Sequence, residues 1–285
     1  MSLRQAVAEG RRFLREAGVD SPGTDAELLA AHVAGVERGR LPLVDSLTNA
    51  QVREYRRLLE SRAARVPVQH LTGTAPFGDV VVAVGPGVFV PRPETELLLD
   101  WGLGALRGRE RPLVIDAGTG SGALALGIAR ARPDAQVHAI ESDPTALNWA
   151  RRNIAARRAA GDTPVTLHHG DITDPALLPE FRGRVDLVLS NPPYVPETER
   201  DTVPAEVTHD PDQAVFAGPD GLAVIEPLLD LVTHWLRPNS AVGIEHDECA
   251  VPAVAAVFRA SGCWTSVEHH PDLAGRPRFT TARRQ

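Results

Sequence analysis

The chain has 285 residues, of which 43% are hydrophobic and 24% charged, and its formal net charge at pH 7 is −7. This composition is that of a globular protein of one or two domains, and the negative charge argues against a protein that holds long stretches of nucleic acid. All 30 basic residues are arginine, which excludes a lysine Schiff base and a Walker lysine, and two cysteines are too few for a disulfide framework or a CxxC zinc site. Without an apolar run of membrane-spanning length or a signal-peptide pattern, we expect a cytoplasmic protein.

The apolar pattern changes along the chain and predicts three regions. Residues 1–75 have apolar residues at helical spacing, and residues 1–70 carry 11 arginines against 9 acidic residues. Residues 76–90 contain valines flanked by glycine and proline, which predicts a β-hairpin. Strands and helices then alternate, as in a parallel sheet with helices on both faces. We therefore predict a helical domain (1–75), a hairpin linker (76–90) and an α/β domain (91–285).

A glycine-rich segment follows the first predicted strand of the α/β domain. It consists of Asp116, Ala117, Gly118, Thr119, Gly120, Ser121 and Gly122. Glycines at a strand-to-helix turn let the backbone approach a ligand closely, and Gly118, Gly120 and Ala123 also satisfy the fingerprint of nicotinamide cofactors. The acidic Asp116 disfavours a pyrophosphate and suits a cationic head, as in S-adenosylmethionine, which carries an ammonium and a sulfonium and has no phosphate.

Three further acids lie at or just after the ends of the next two strands. Glu141 ends a strand at the position where a carboxylate can accept hydrogen bonds from ribose hydroxyls. Asp143 precedes Pro144, a helix start, so we assign it to capping. Asp171 follows the third strand and, with Ile172 as an apolar wall, is expected to contact an adenine. Together these residues predict a nucleoside-binding site.

The tetrapeptide Asn191-Pro192-Pro193-Tyr194 follows the predicted strand 185–190. The prolines fix the backbone and remove two donors, which leaves carbonyl groups and the Asn191 side-chain oxygen as acceptors. The Tyr194 ring can lie against a planar group. The segment therefore predicts a site that holds a planar NH₂ group by its two hydrogens.

The glycine segment followed by NPPY resembles S-adenosylmethionine-dependent methyltransferases that act on amide or exocyclic amine nitrogens. Further matching segments are PVQHLTG, PGVFVPRPETELL, FAGPDGL and DLAGRPRF, at 67–73, 86–98, 216–222 and 272–279. In this order they resemble the HemK/PrmC family, the peptide chain release factor N5-glutamine methyltransferases. The stretch 91–96, PRPETE, discriminates this family from the related ribosomal-protein glutamine methyltransferases.

The resemblance implies a Rossmann-like class I methyltransferase domain with a seven-stranded mixed sheet, an antiparallel last strand and a helical N-terminal domain for release-factor recognition. It implies S-adenosyl-L-methionine as cofactor and S-adenosyl-L-homocysteine as product. The substrate it implies is the glutamine of the Gly-Gly-Gln motif in class 1 release factors. We expect a monomer without a metal, a membrane or nucleic acid as a direct partner.

Carried over by position, the resemblance divides the site residues into two groups. Those expected at the cofactor are Asp116, Gly118, Thr119, Gly120, Ser121, Gly122, Glu141, Asp171, Ile172 and Asn191. Those expected at the glutamine amide are Asn191, Pro192, Pro193 and Tyr194, with Asn191, Pro192 and Tyr194 as catalytic residues. The sequence departs from the family at His209-Asp210-Pro211 and at Glu245-His246-Asp247.

Several alternatives remain open from the sequence. An adenine or other nucleic-acid amine methyltransferase uses the same tetrapeptide, and a glutamine of a ribosomal protein is another amide substrate. A nicotinamide oxidoreductase fits the glycine segment but leaves residues 191–194 unexplained. The last alternative is a binding protein without catalytic activity, although such a protein would not need both the cofactor residues and the amide residues.

Overall fold

The computed structural model describes all 285 residues and divides them into two compact units. One unit is Met1–Thr74 with Pro204–His209, and the other is Ala75–Val203 with Asp210–Gln285. No helix combines the length and the apolar character that crossing a bilayer requires.

The first unit is helical, as the sequence predicts. Its helices are α1 (Leu3–Glu16), α2 (Pro22–Ala34), α3 (Asn49–Ala63) and α4 (Val68–Thr72). Ser2 caps α1 by accepting a hydrogen bond from the Gln5 backbone N–H, and Thr48 and Gln51 form a reciprocal capping box on α3. The core side chains recur along the helices at intervals of three or four residues, which packs the helices against one another.

A buried ion cluster explains why residues 204–209 belong to the helical unit. Arg62 Nε donates to Asp25 Oδ2 at 2.7 Å, and both residues are buried. Glu206 Oε1 accepts from Arg62 Nη2 at 3.1 Å and from Arg65 Nη1 at 3.2 Å. A buried arginine needs charged partners, and this segment supplies one of them.

The second unit contains the hairpin and the sheet. The hairpin strands are β1 (Thr74–Phe77) and β2 (Val80–Ala83). The sheet strands are β3 (Leu113–Ala117), β4 (Gln136–Glu141), β5 (Thr166–His169), β6 (Val185–Ser190), β7 (Leu236–Glu245), β8 (Trp264–Pro271) and β9 (Pro277–Arg284). The helices are α5 (Pro93–Ala105), α6 (Ala123–Ala131), α7 (Pro144–Ala159), the single-turn α8 (Asp212–Val215), α9 (Ile225–Trp235) and α10 (Val251–Ser261).

The strand order is β5-β4-β3-β6-β7-β9-β8. The strands from β5 to β7 pair in parallel, and β9 is antiparallel to both of its neighbours. The predicted seven-stranded mixed sheet with an antiparallel last strand is confirmed. Val114 and Ile115 on β3 belong to different core clusters because successive strand residues point to opposite faces. The buried face of the hairpin, including Phe77, belongs to the same core as α5 and α6.

The chain order of the strands reverses at β3, which has β4 on one side and β6 on the other. In such sheets the carboxyl ends of the strands at the reversal form a crevice in which ligands bind. The glycine segment follows β3, Glu141 ends β4 and Asn191 follows β6. The topology therefore brings all three to one edge of the sheet.

One boundary differs from the sequence pattern. The apolar spacing of residues 220–236 predicts a helix over that range, and in the structure this helix, α9, begins only at Ile225. Gly221 has a φ of +78°, which a right-handed helix does not accommodate, so the residues before Ile225 form turns.

Candidate active site

A cavity of about 300 Å³ lies at the carboxyl ends of the central strands. Its lining includes these predicted residues from the first part of the sheet: Asp116, Gly118, Thr119, Gly120, Ser121 and Glu141. It also includes these from later segments: Asp171, Ile172, Asn191 and Pro193. The structure thus brings most of the predicted residues together. Gly122, Pro192 and Tyr194 are not part of the lining.

The glycine segment curls around the end of β4. The backbone N–H groups of Gly118 and Thr119 donate to the Ile140 carbonyl at 3.0 and 2.9 Å. Gly118 has a φ of +75° and Gly120 one of +56°, a conformation that glycine adopts without steric cost. At Gly118 and Gly120 the segment therefore presents its backbone to the cavity without a side chain.

Asp116 is fully buried, and only one of its two carboxylate oxygens has hydrogen-bond partners. Its Oδ2 accepts from Thr119 Oγ1 at 2.5 Å and from the Ala125 backbone N–H at 3.0 Å. Its Oδ1 is buried and has no hydrogen-bond partner. Burial raises the pKa of the Asp116 carboxyl to about 6. A buried acceptor that lacks a partner is costly, so its place on the cavity wall points to a ligand with a donor or a positive charge.

Glu141 ends β4, and backbone N–H groups hold its carboxylate. Its Oε2 accepts from the Gly120 N–H at 2.8 Å, and its Oε1 accepts from the N–H groups of Ser142 and Asp143 at 2.9 Å. Burial raises the pKa of Glu141, and these hydrogen bonds oppose the increase. Because each carboxylate oxygen can accept more than one hydrogen bond, Glu141 retains acceptor capacity toward the cavity.

Asp143 has the capping role that the sequence predicts. Its Oδ1 accepts from the backbone N–H groups of Thr145 and Ala146 at 2.9 and 2.8 Å, at the start of α7. The Asp143 prediction is confirmed. Asp143 lines the cavity as well, so the separation of its role from that of Glu141 needs an experiment.

Asp171 and Ile172 form the wall beyond β5. Asp171 Oδ1 accepts from the Thr173 N–H at 2.8 Å and from Thr173 Oγ1 at 2.7 Å, which fixes an exposed carboxylate. Ile172 is buried, and its Cδ1 lies 3.6 Å from the position of a Cβ built on Gly118. This wall combines an apolar surface with an acceptor at its edge.

The NPPY segment is anchored on both sides. The N–H groups of Tyr194 and Val195 donate to the Val215 carbonyl at 3.2 and 2.9 Å, and the Ala217 N–H donates to the Val195 carbonyl at 2.9 Å. Asn191 Nδ2 donates to Thr95 Oγ1 at 3.2 Å, and Tyr194 Oη donates to Glu245 Oε1 at 3.3 Å. Burial, with the neighbouring Glu245, raises the pKa of the Tyr194 hydroxyl well above its ordinary value, so Tyr194 remains a donor.

The sequence reasoning missed Thr95 and Glu245. Thr95 is part of the PRPETE stretch, which marks the family in the sequence but indicates no role for Thr95, and it lines the cavity. Glu245 begins the stretch in which the sequence departs from the family. A signal was present in the sequence, because an acid at the carboxyl end of the central strand β7 falls at the same sheet edge as the glycine segment.

Comparison with known proteins identifies both units. Residues 5–73 match the family described as PrmC N-terminal domain, and residues 86–216 match the methyltransferase small domain. Among solved structures, the fold is similar to that of the catalytic domain of hMettl16 in complex with the MAT2A 3′UTR hairpin 6, with a TM-score of 0.57, 12% identity and coverage of 84% of this chain and 83% of that one. This likeness concerns the fold alone.

Full-length relatives are closer. The release factor glutamine methyltransferase of Mycobacterium tuberculosis H37Rv is 48% identical over 288 residues, which covers 100% of this chain and 92% of the relative. That of Deinococcus radiodurans is 42% identical over 287 residues, covering 100% and 99%. The chain therefore belongs to the release factor glutamine methyltransferase family.

Proposed function

We propose that the protein transfers a methyl group from S-adenosylmethionine to the side-chain amide nitrogen (N5) of the glutamine in the Gly-Gly-Gln motif of class 1 release factors, in the cytoplasm. The observation that carries the proposal is the orientation of Asn191 at the cavity. Its Nδ2 is bonded to Thr95, which leaves Oδ1 as an acceptor for an incoming NH₂ group. The full-length relatives support an amide of this kind as the substrate.

The cavity residues fit S-adenosylmethionine. The unpartnered Asp116 Oδ1 is matched to an ammonium group, and Glu141 to ribose hydroxyls. Ile172 and Asp171 offer an apolar face and an acceptor for adenine. The volume of about 300 Å³ lies at the lower end of the range for small-molecule sites. When bound, this cofactor supplies an electrophilic methyl group.

The residues around Asn191 address the weakness of an amide as a nucleophile. The nitrogen lone pair of the substrate glutamine amide is delocalised. Hydrogen bonds that this nitrogen donates to Asn191 Oδ1 and to the Pro192 carbonyl stabilise the positive charge that develops on it. Tyr194 and Pro193 confine the planar group, and correct placement of two reactants removes ~7–11 kcal/mol of barrier. Transfer would form the N–CH₃ bond as the S–CH₃ bond of the cofactor breaks, with S-adenosylhomocysteine as the leaving group. The nitrogen would then lose one proton to water, so the scheme needs no general base.

The test is methyl transfer from S-[methyl-³H]adenosylmethionine. We expect label on an intact release factor, located by mass spectrometry on the glutamine of Gly-Gly-Gln, and none on a factor in which that glutamine is replaced by alanine. Label on a ribosomal protein or on nucleic acid in place of the release factor would overturn the substrate assignment.

The two acids after β4 provide a prediction about the cofactor. Glu141→Ala is expected to weaken binding of S-adenosylmethionine by about 1.5–3 kcal/mol, the scale of a hydrogen bond to a charged group. Asp143→Ala is expected to cost ~1 kcal/mol of unfolding free energy through the lost cap. Calorimetric titration and urea denaturation of both variants measure the two effects. If the phenotypes were exchanged, the roles of the two acids would have to be reversed.

Asp116 predicts a pH dependence of cofactor binding. Because its pKa is about 6, it is ionised above pH 6 and becomes protonated below it. Burial is the main cause of this raised pKa, and the charge of Glu141 adds to it. The Kd for S-adenosylmethionine is therefore expected to be constant from pH 7 to 8 and to rise below pH 6, approaching about tenfold per pH unit. Asp116→Asn should bind weakly without this dependence. An equal Kd at pH 5 and pH 7.5 for the unmodified protein would contradict the assignment.

For the helical unit, we propose recognition of the release factor outside its Gly-Gly-Gln loop. Arg4, Arg11 and Arg15 are exposed on α1 and border a groove that Arg38 also lines. One side-chain amide carries too little information to select a protein, so a second contact is needed. A patch of arginines fits an acidic surface on the release factor.

The corresponding prediction separates protein from peptide substrates. The double variant Arg4→Glu and Arg11→Glu is expected to raise KM for the intact release factor about tenfold or more, with little change for a short Gly-Gly-Gln peptide. The control is a charge-matched double variant on the other unit, Arg107→Glu and Arg259→Glu, both at exposed positions. An equal loss on protein and peptide would show that the arginines only stabilise the fold.

A further inference from the structure

Four side chains from three segments form one hydrogen-bonded chain beside the cavity. Asn191 Nδ2 donates to Thr95 Oγ1 at 3.2 Å, and Thr95 Oγ1 donates to Glu245 Oε2 at 2.7 Å. Tyr194 Oη donates to the other oxygen, Glu245 Oε1, at 3.3 Å. Thr95 lies in the first turn of α5, Glu245 ends β7, and Asn191 and Tyr194 follow β6. One carboxylate is therefore linked to both ends of the NPPY segment.

The direction of these hydrogen bonds follows from the groups involved. An ionised carboxylate only accepts, and a threonine hydroxyl has a single proton to donate. Since Thr95 gives this proton to Glu245, it can only accept toward Asn191. The NH₂ half of the Asn191 amide must then face Thr95, and its oxygen must face away from Thr95.

Because the network is buried, each of its polar groups needs a hydrogen-bond partner within the protein. Thr95 is 4% exposed at the cavity wall. Glu245 is 2% exposed and lies outside the cavity lining, so water cannot replace a missing partner of its carboxylate. A polar network in such surroundings is costly unless it is complete, and when complete it fixes one arrangement. A valine would occupy the volume of Thr95 without this cost, so packing alone does not account for a hydroxyl at this position.

We propose that Thr95 and Glu245 are positioning residues that hold the Asn191 amide with its oxygen toward the substrate and restrain the Tyr194 ring beside it. The proposal rests on the proposed function, because it concerns how that site orients a glutamine amide. Neither residue needs to touch the reacting atoms. Their effect is transmitted through Asn191 and Tyr194.

The protonation state of Glu245 controls the same orientation. Burial raises the pKa of Glu245 to about 7, and the charged or titratable groups that act on it are Tyr194, Glu94 and Arg278. A protonated Glu245 can donate to Thr95, which frees the Thr95 hydroxyl to donate to Asn191. The Asn191 oxygen then turns toward Thr95, and its NH₂ group opposes the NH₂ group of the substrate.

The first test compares Thr95→Val with Thr95→Ser in the full chain, at saturating S-adenosylmethionine and with an intact release factor. We expect Thr95→Val to lower kcat roughly 10- to 100-fold, the scale of a misplaced catalytic group. The Kd for S-adenosylmethionine should change little. The midpoint of thermal unfolding should fall, because Glu245 loses a buried partner, so the rates are compared at a temperature where both variants are folded. Thr95→Ser, which keeps the hydroxyl, should recover most of the lost kcat.

The second test uses pH and a readout other than activity. In the unmodified protein, kcat should fall as the pH drops below about 7, and this acid limb should be absent in Thr95→Val and Glu245→Gln. In ¹⁵N-labelled protein without ligands, the side-chain NH₂ signals of Asn191 should titrate with a midpoint near pH 7. In Glu245→Gln they should not titrate over this range.

The outcomes separate this proposal from the proposed function. If the unmodified protein methylates the release factor and Thr95→Val retains its kcat, or keeps an unchanged acid limb, Thr95 and Glu245 do not position Asn191. Asn191 NH₂ signals that titrate equally in the unmodified protein and in Glu245→Gln would also overturn the proposal. If instead the unmodified protein does not methylate the release factor, the proposed function fails, and the NMR titration still tests the network alone.

Discussion

Replacing Asn191 by alanine is expected to lower the rate of methyl transfer about 10²–10³-fold, the usual loss for one hydrogen bond that stabilises a transition state. The variant loses the side-chain oxygen that we propose as the acceptor for the substrate amide. It retains the cavity residues around Asp116 and Glu141. Its affinity for S-adenosylmethionine should therefore remain close to that of the unmodified protein, although Asn191 lines the cavity.

The measurement combines calorimetric titration of S-adenosylmethionine with single-turnover transfer to an intact release factor. Asn148→Ala is a suitable control, because Asn148 is an exposed asparagine on α7 outside the cavity lining. The control should match the unmodified protein in both assays. A loss of cofactor affinity as large as the loss of rate would assign Asn191 to the cofactor and remove it from the amide site.

The fold was predictable because its signals are local. The helical spacing in residues 1–75 and the alternation of strands and helices after residue 112 report which faces are buried. The glycine segment and NPPY are continuous stretches at strand ends, and in a parallel sheet those ends share one edge. Local patterns of this kind predicted the sheet, and most of the residues that they single out lie in the cavity lining.

The remaining features depend on contacts between distant parts of the chain. Thr95 and Glu245 are 150 positions apart, and neither residue has a neighbour in the sequence that indicates a hydrogen bond between them. Glu206 likewise belongs to the helical unit only because Arg62 and Arg65 require a carboxylate there. Such pairs follow from tertiary packing, which one sequence without a structure does not specify.

The second large effect on kcat is expected from a substitution of Gly221, which lies against the backbone of the NPPY segment. A Cβ built on Gly221 would lie 2.2 Å from the Tyr194 carbonyl oxygen and 3.1 Å from its carbon. The obstruction is backbone, and it cannot rotate away because Tyr194 and Val195 are bonded to the Val215 carbonyl. Gly221 also has a φ of +78°, which costs a residue with a side chain roughly 1–2 kcal/mol.

Gly221→Ala is therefore expected to displace the Tyr194 backbone and to lower kcat about 10²-fold, since a shift of about 1 Å at a catalytic group has effects of that size. Gly161→Ala is the matched control, because Gly161 has a φ of +93° but no atom within 4 Å of a Cβ. The control carries the backbone strain without the collision, so it should lose roughly 1–2 kcal/mol of unfolding free energy and keep its activity. Urea denaturation and single-turnover rates, measured where both variants are folded, separate strain from displacement. If Gly221→Ala lost stability to the same extent as Gly161→Ala and retained its kcat, the contact between Gly221 and Tyr194 would have no part in holding the amide site.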